Sequence, residues 1–493
     1  MPNSGDGLAE RLRRLEDAEQ IRQLNLEYRR HLDARDLDAY GMLFAEDGEW
    51  LGGTGYGKGP AGITAMLKER LPGNPAPPGA TSWHMVTESG IDVHGDWATG
   101  TVTWALIQRG AGDTPVMRLL GHYDDVYVRE HGRWRYRRRT AHIDIPHREL
   151  DPPAGWPAAG LRAAGPPAPG ETGTAPADDD ISTRLGRLED AEQIRRLTQE
   201  YRRFLDALDL DAYGELFADE GEWLGGTGYG RTPAGITAML KERLPARGPG
   251  GPAAWHLVTE PEIDLYGDRA TGTLTWAWVG RGDAATPVMR LLGRYDDVYV
   301  REHGRWRYRR RTARTDIPHR ALGLPAGWTA DDAAPGHGRG EARAGDDAEA
   351  RLRRLEDLEQ IRRLLTEYKT VLDRQDFAAY GRLFAADGEF IASPQQGIQQ
   401  AKGPAAIQAL VEGMPGSLLG SAPGDDFHVI VNPLIELDAG DPDRARAEAT
   451  WLYVVKGDDG LPALCKLGHY DDQLIREAGR WRFLRREAPA DIG

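Results

Sequence analysis

At 493 residues, 40% of them hydrophobic, with a formal net charge of −15, the chain suits about three globular domains and is too acidic for nucleic acid or an anionic membrane, which need a basic partner surface. Its single cysteine, Cys465, excludes an internal disulfide and any cysteine-based zinc site within one chain. The N-terminal MPNSGDGLAERLRRLEDAEQ has no apolar signal core and no apolar run reaches membrane-spanning length, so a soluble, cytoplasmic protein is expected.

The main signal is a repeat. RLRRLEDAEQIRQLNLEYRRHLDARDLDAYGMLFAEDGEW opens at Arg11, RLGRLEDAEQIRRLTQEYRRFLDALDLDAYGELFADEGEW at Arg184, and RLRRLEDLEQIRRLLTEYKTVLDRQDFAAYGRLFAADGEF at Arg351. The spacing is that of a whole domain, not of a solenoid unit. The expected domains are 8–150, 181–321 and 348–493. Segments 151–180 and 322–347, rich in Ala, Gly, Pro and Asp, read as flexible linkers. Arginine in excess of lysine, with much Ala, Gly and Pro, suits a GC-rich bacterial genome.

Within copy one, Leu12, Leu15, Leu24 and Tyr28 recur near helical spacing and predict a first helix ending near Asp33. Asp36 then suits the N-cap of a second helix, LDAYGMLF. A strand begins at DGEW, followed by the Gly-rich loop GGTGYGKGP, a short helix AGITAMLKER and a Pro-rich loop. Four strand candidates follow: WHMVTESGIDVHG, ATGTVTWALIQRG, VMRLLGHYDDVYVRE and GRWRYRRRTAHIDI. Alternation puts Ala98, Gly100, Val102, Trp104 and Leu106 on one face, and Leu120, His122, Val126 and Val128 on one face of the next strand. Helices first and an antiparallel sheet after predict an α+β fold with one curved sheet.

The first helix through LDARDLDAYGMLFAEDGEW, the GKGP turn, the strand opening with WH, the GHY strand and the final GRWRYRRR together resemble the SnoaL-like, NTF2-like enzymes. That family includes polyketide cyclases, scytalone dehydratase, bile-acid 7α-dehydratases and hexachlorocyclohexane dehydrochlorinase. The resemblance implies three tandem cone-shaped domains, each a curved, mostly antiparallel sheet wrapped by N-terminal helices. It also implies an Asp–His pair inside each cone: Asp33 with His84, Asp206 with His256, and Asp373 with His428. In such a pair the carboxylate fixes the imidazole tautomer and stabilises the imidazolium, so the ring can take a proton from carbon. Tyrosines five residues before the aspartates, Tyr28, Tyr201 and Tyr368, match an oxyanion-stabilising position. Five residues is about 140° around an ideal helix, so sharing a pocket requires the helix to bend or fray near Asp33.

Further substrate-binding candidates by resemblance are Arg139, Arg311 and Arg486, although strict alternation places Arg139 on the opposite face from Trp134. His122 and His469 match a second active-site histidine, and copy two has Arg294 there. A cation at that position would lower a neighbouring imidazole's pKa, so altered or reduced activity is expected of copy two. Trp104, Trp276 and Trp451 are candidates for the pocket wall.

Plainer readings stand beside these. Asp33 also suits a helix end or a surface ion pair, His84 and His122 suit structural histidines, and Tyr28 suits a core aromatic. GGTGYGKGP lacks the Lys-Ser/Thr and the parallel βαβ context of a phosphate loop. RWRYRRR suits a solvated or carboxylate-paired face. Copy three diverges in its loop (IASPQQGIQQAKGP) and in Asn432, where the others have Glu88 and Glu260. It nevertheless keeps Tyr368, Asp373, His428, Trp451, His469 and Arg486, which favours a functional set over packing, because buried Asp and His are poor choices for packing alone.

The reading is a cofactor-independent, metal-free acid–base enzyme, a dehydratase, cyclase or isomerase, for a small hydrophobic oxygenated metabolite such as a polyketide-like or steroid-like compound. The alternatives are a non-catalytic binding protein for such a metabolite and a structural partner of an oxygenase. Trimeric relatives imply that the three copies could build a pseudo-trimer within one chain.

Overall fold

The computed structural model describes residues 4–71, 82–153, 156, 180–244, 254–282, 286–323, 348–392, 400–414 and 426–492. The expected linkers, 151–180 and 322–347, fall almost entirely outside them. None of the described helices is long and apolar enough to cross a membrane.

Copy one consists of α1 (Ser4–Asp33), α2 (Leu37–Gly41), β1 (Phe44–Gly52), β2 (Gly55–Lys58), α3 (Gly59–Arg70), β3 (Ser82–His94), β4 (Trp97–Arg109), β5 (Pro115–Glu130) and β6 (Arg133–Ile145). Its strands lie in the order β2-β1-β6-β5-β4-β3. Only the β1–β6 pairing is parallel among the registers given for this sheet. Copy two has α4 (Ile181–Ala207), α5 (Leu210–Gly214), β7 (Phe217–Gly225), β8 (Gly228–Arg231), α6 (Pro233–Arg243), β9 (Ala254–Val258), β10 (Glu262–Tyr266), β11 (Arg269–Arg281), β12 (Pro287–Glu302) and β13 (Arg305–Ile317). Copy three has α7 (Ala348–Asp373), α8 (Phe377–Gly381), β14 (Phe384–Ala392), β15 (Gln400–Lys402), α9 (Pro404–Glu412), β16 (Asp426–Leu437), β17 (Arg444–Lys456), β18 (Pro462–Glu477), β19 (Arg480–Ala488) and β20 (Ala490–Ile492). Each copy is thus an α+β domain with one mostly antiparallel sheet, as the sequence predicts.

The turn after each long helix repeats a local device. Asp36 caps α2 by accepting the Ala39 amide at 3.1 Å, and Asp209 and Asp376 do the same for α5 and α8. This cap fixes where the first helix stops, so Asp33, Asp206 and Asp373 sit at or beside its last turn.

The long helix packs on the inner face of its own sheet. In copy one Ile21, Leu24 and Tyr28 of α1 share a core with Val102, Trp104, Tyr123, Tyr127 and Tyr136. Midway along the helix Asp17, itself buried, accepts the Trp134 indole N–H at 3.1 Å. Trp104 in turn needs a glycine beside it. A Cβ on Gly121 would lie 2.1 Å from the His142 carbonyl oxygen and 2.9 Å from the Trp104 ring, and Gly293 and Gly468 are equally tight against Trp276 and Trp451.

Two β-bulges in the β5–β6 pairing decide which side chains of β6 face inward. In copy one Val126 pairs with Arg138 but Tyr127 pairs with Tyr136, so Arg137 is the extra residue. The inward alternation Trp134, Tyr136 therefore resumes at Arg139, which is buried with them. The expectation that Arg139 opposes Trp134 is corrected by this bulge. The outward arginines are paired with carboxylates: Arg137 with Asp47 at 2.8 Å and Arg138 with Glu49 at 3.5 Å.

By compactness the chain divides into two units: Met1–Gln108 with Met117–Ile181 and Glu349–Gly493, and Arg109–Val116 with Ser182–Ala348. The first unit therefore holds copies one and three packed together. Arg11 of α1 bonds Glu356 at 2.9 and 2.6 Å and Glu349 at 2.6 Å, and Arg22 bonds Glu359. Arg363 of α7 bonds Asp92 at 2.7 Å and the Ile91 carbonyl. Lys369 reaches across to the Thr103 hydroxyl at 2.8 Å, beside a cavity of about 20 Å³ lined by Thr87, Thr101, Thr366 and Thr370. That volume is room for one water.

Candidate active site

The end of each long helix meets the start of a strand. Asp33, the last residue of α1, accepts the backbone N–H of His84 at 3.0 Å and lies 2.7 Å from its ring Nδ1. Copy two repeats this with Asp206 and His256, at 3.1 and 2.7 Å. Copy three repeats it with Asp373 and His428, at 3.0 and 2.8 Å. A carboxylate that accepts the backbone amide and the ring nitrogen together fixes the imidazole in place. Next to an ionised Asp, the tautomer that fits carries its proton on Nδ1, which leaves Nε2 as an acceptor.

The pair is half-buried, with side-chain exposures of 14% for Asp33 and 17% for His84. In copy three Lys369 stands 3.4 Å from the second Asp373 oxygen, and in copy two Arg202 stands 3.9 Å from that of Asp206. Burial pushes the Lys369 ammonium down from its ordinary value, although Asp373 and Asp144 hold it up.

Inward-facing aromatics continue from the histidine. His84 pairs in register with Leu106, two residues from Trp104, and its ring lies 6.4 Å from that indole. Trp104 stacks on Tyr123 at 5.5 Å, and Tyr123 meets Tyr28 edge-on at 5.6 Å. Trp276 stacks likewise on Tyr295, and Trp451 meets Tyr470. The buried Nε1 atoms of Trp104 and Trp276 have no hydrogen-bond partner among the described residues, whereas Trp451 Nε1 donates to the His469 carbonyl at 3.1 Å.

Tyr28 lies deep in the core. Its hydroxyl accepts the Trp50 indole N–H at 3.1 Å, as Tyr201 accepts that of Trp223 at 3.2 Å. In copy three, where Phe390 replaces the tryptophan, Tyr380 donates to Tyr368 at 2.9 Å. Helix α1 stays regular to Asp33, so the bend that would bring Tyr28 round to Asp33 is absent. Arg139 sits below, its guanidinium about 4.0 Å from the rings of Tyr28, Tyr123 and Tyr136 and bonded to buried Asp125 at 2.7 and 2.5 Å. Arg311 with Asp297 and Arg486 with Asp472 repeat this arrangement.

His122, Arg294 and His469 do not join this inner-face set in their own copies. Trp276 pairs with Gly293 and Trp451 with Gly468, so Arg294 and His469 pair with the threonines one residue earlier, on the outer face of the sheet. Arg294 therefore does not stand beside His256, and the expected repulsion of that imidazole has no geometric basis. Its nearest carboxylate is Asp296 at 3.8 Å.

The outer face has a second carboxylate–histidine contact that the sequence reading missed. Gly121 pairs with Ile143 and Leu120 with Ile145, so Asp144 is the extra residue of a bulge, and it reaches His122 Nδ1 at 2.7 Å. His469 and Asp491 repeat this at 3.0 Å. The signal available was the Asp-Ile that closes every repeat, at Asp144, Asp316 and Asp491.

The bond to Asp491 raises the half-exposed His469 above the ordinary histidine value, with Asp471 and Glu448 adding to it and burial opposing. A raised folded-state pKa contributes stability that is fully present below the unfolded value and is lost as pH rises through the folded one. The melting temperature of His469→Gln is therefore expected to fall short of wild type most at acid pH and to converge with it at alkaline pH. The effect should stay below about 1 kcal/mol, as for exposed pairs. A gap that is constant across the titration would contradict this assignment.

Comparison with known proteins gives the following. A family model described as "SnoaL-like domain" matches residues 13–140, 186–312 and 353–487. No curated protein matches the chain. Among solved structures, an NTF2-like protein with a cystatin-like fold from Novosphingobium aromaticivorans is 29% identical over 29% of this chain and 86% of its own, with a TM-score of 0.26. ActVI-ORFA from Streptomyces coelicolor is 23% identical over 28% of this chain and 98% of its own, with a TM-score of 0.24. A hexachlorocyclohexane dehydrochlorinase from Novosphingobium barchaimii is 19% identical over 29% of this chain and 92% of its own, with a TM-score of 0.25.

Proposed function

Because the chain belongs to the SnoaL-like domain family in all three of its repeats, we infer that each repeat is a cofactor-independent acid–base site for a small, hydrophobic, oxygenated metabolite of polyketide-like or steroid-like character. The observation that carries this reading is the Asp–His contact, repeated at 2.7, 2.7 and 2.8 Å in three copies.

In this proposal His84 Nε2 takes a proton from a carbon next to a carbonyl, and Asp33 stabilises the imidazolium that forms. The imidazolium then returns the proton to the departing hydroxyl, and water leaves. Cyclisation or double-bond migration would use the same base. Such a base contributes about 10²–10⁴-fold in rate. His256 with Asp206 and His428 with Asp373 take the same parts.

Tyr28, which takes the Trp50 indole N–H on its hydroxyl and meets Tyr123 edge-on, supports the aromatic wall behind His84 instead of facing the base. Arg139 supplies a fixed positive charge beneath the ring. Tyr201 with Arg311 and Tyr368 with Arg486 correspond. The unpartnered indole N–H groups of Trp104 and Trp276 offer donors to a substrate oxygen, a contact that copy three lacks because Trp451 is already engaged.

The test compares wild type with a His84→Ala/His256→Ala/His428→Ala variant on a metabolite extract from the producing organism, read by liquid chromatography and mass spectrometry. A compound shifted by the mass of one water with wild type alone is expected. A shift in retention at unchanged mass would assign cyclisation or isomerisation instead. Retention of a compound by both proteins, changed by neither, would overturn the enzyme reading in favour of a binding protein.

A further inference from the structure

The outer face of the copy-one sheet carries side chains that the proposed chemistry does not use. His122 and Asp124 of β5 and His142 of β6 each place a ligand atom within 4.8 Å of the others. The two imidazoles stack at 4.5 Å, and His142 Nε2 lies 3.6 Å from Asp124 Oδ2.

Two neighbours orient this trio as an outer shell orients metal ligands. Asp144 holds His122 Nδ1 at 2.7 Å, which leaves Nε2 to face a cation. The Thr101 hydroxyl donates to Asp124 Oδ1 at 3.1 Å, which leaves Oδ2.

Copy two provides the comparison within the chain. At the same positions it has Arg294, Asp296 and Arg314, with Arg314 Nε 2.5 Å from Asp296 and Arg294 Nε 3.8 Å away. Two permanent cations there neutralise the carboxylate that in copy one faces two imidazoles. Copy three keeps His469 and Asp471 but has Pro489 at the third position, which offers no side-chain ligand.

We propose that His122, Asp124 and His142 form a site for a divalent transition-metal ion, with Zn²⁺ the best match, in copy one alone. Two imidazoles and one carboxylate are a zinc-type donor set, and three protein ligands leave a position for water. Zinc–ligand distances of about 2.0–2.2 Å bring ligand atoms to about 3.3 Å from one another, so the widest separation closes by up to about 1.5 Å through side-chain rotation. The site lies on the sheet face opposite His84, so the ion ties β5 to β6 and stands outside the Asp33–His84 chemistry. The positive charge of Arg374 in copy three also acts on Asp124.

Full-length chain stripped with chelator and then dialysed free of it is titrated with Zn²⁺ by calorimetry and with Co²⁺ by visible absorption. The comparison is with His122→Arg/His142→Arg, which installs the residues that copy two already accommodates. Wild type is expected to bind one more equivalent than the variant, with a cobalt band that the variant lacks. Asp144→Asn should weaken that equivalent by about 10–100-fold, and Arg374→Gln should tighten it. Circular dichroism and metal-free melting confirm that each variant is folded. Identical titrations of wild type and the folded double-arginine variant would overturn the proposal.

Discussion

Replacing Asp33, Asp206 and Asp373 together by Asn is expected to lower kcat by about 10²–10⁴-fold while leaving KM and the fold nearly unchanged. The reason is in the hydrogen bonds. The carboxylate accepts two donors, the strand amide of His84 at 3.0 Å and the ring Nδ1 at 2.7 Å. An Asn carbonyl can still accept the amide, which keeps helix and strand joined. The ring Nδ1 bonds the same oxygen, so the Asn carbonyl accepts it as well, and what is lost is the negative charge that stabilises the imidazolium. The ring stays in place without its counter-charge. The assay is the conversion found with the metabolite extract, and activity within about tenfold of wild type would remove the Asp–His pair from the mechanism.

The largest stability effect is expected at the buried ion pairs. Arg139→Ala leaves Asp125 fully buried without its cation and strips the guanidinium from among three tyrosine rings. Breaking such a pair costs about 3–5 kcal/mol. At about 2–4 °C per kcal/mol for a domain of this size, the earliest calorimetric transition should fall by roughly 10 °C. The double change Arg139→Met/Asp125→Leu removes both charges and should recover most of the loss. A recovered fold with lost turnover would show that Arg139 also serves the substrate. Full recovery of both would confine it to packing. A single variant as stable as wild type would mean that the pair is not buried as described.

The Asp–His pairs were legible through the resemblance to SnoaL-like enzymes, and the structure shows what holds them: a capped turn ends the helix, and the histidine stands near the start of a strand. The strand alternation that put Trp104 on one face with Val102 and Leu106 was equally plain. It failed at Arg139, and gave no hint of the Asp144 contact, for one shared reason. A bulge adds a residue without any change in residue type, so Arg137 reads as one more arginine in RWRYRRR, and every later residue is assigned to the wrong face. His122 illustrates a second limit. Its place on a strand was legible, but which face of that strand meets the helix depends on Gly121 admitting Trp104. Lys369 illustrates a third, because its partner Thr103 belongs to another repeat.

That last contact bears on how the chain is made. Copy one's β6 ends at Ile145, and α7, which covers part of its outer face, begins at Ala348, about 200 residues later. At roughly 5–20 residues per second of synthesis, the threonine-lined face around Thr101 and Thr103 waits about 10–40 s on the ribosome for Lys369 to arrive. The first repeat must therefore hold its fold as a nascent domain with that face wet. Threonines that hydrogen-bond water as readily as a lysine suit a surface that spends its first moments uncovered.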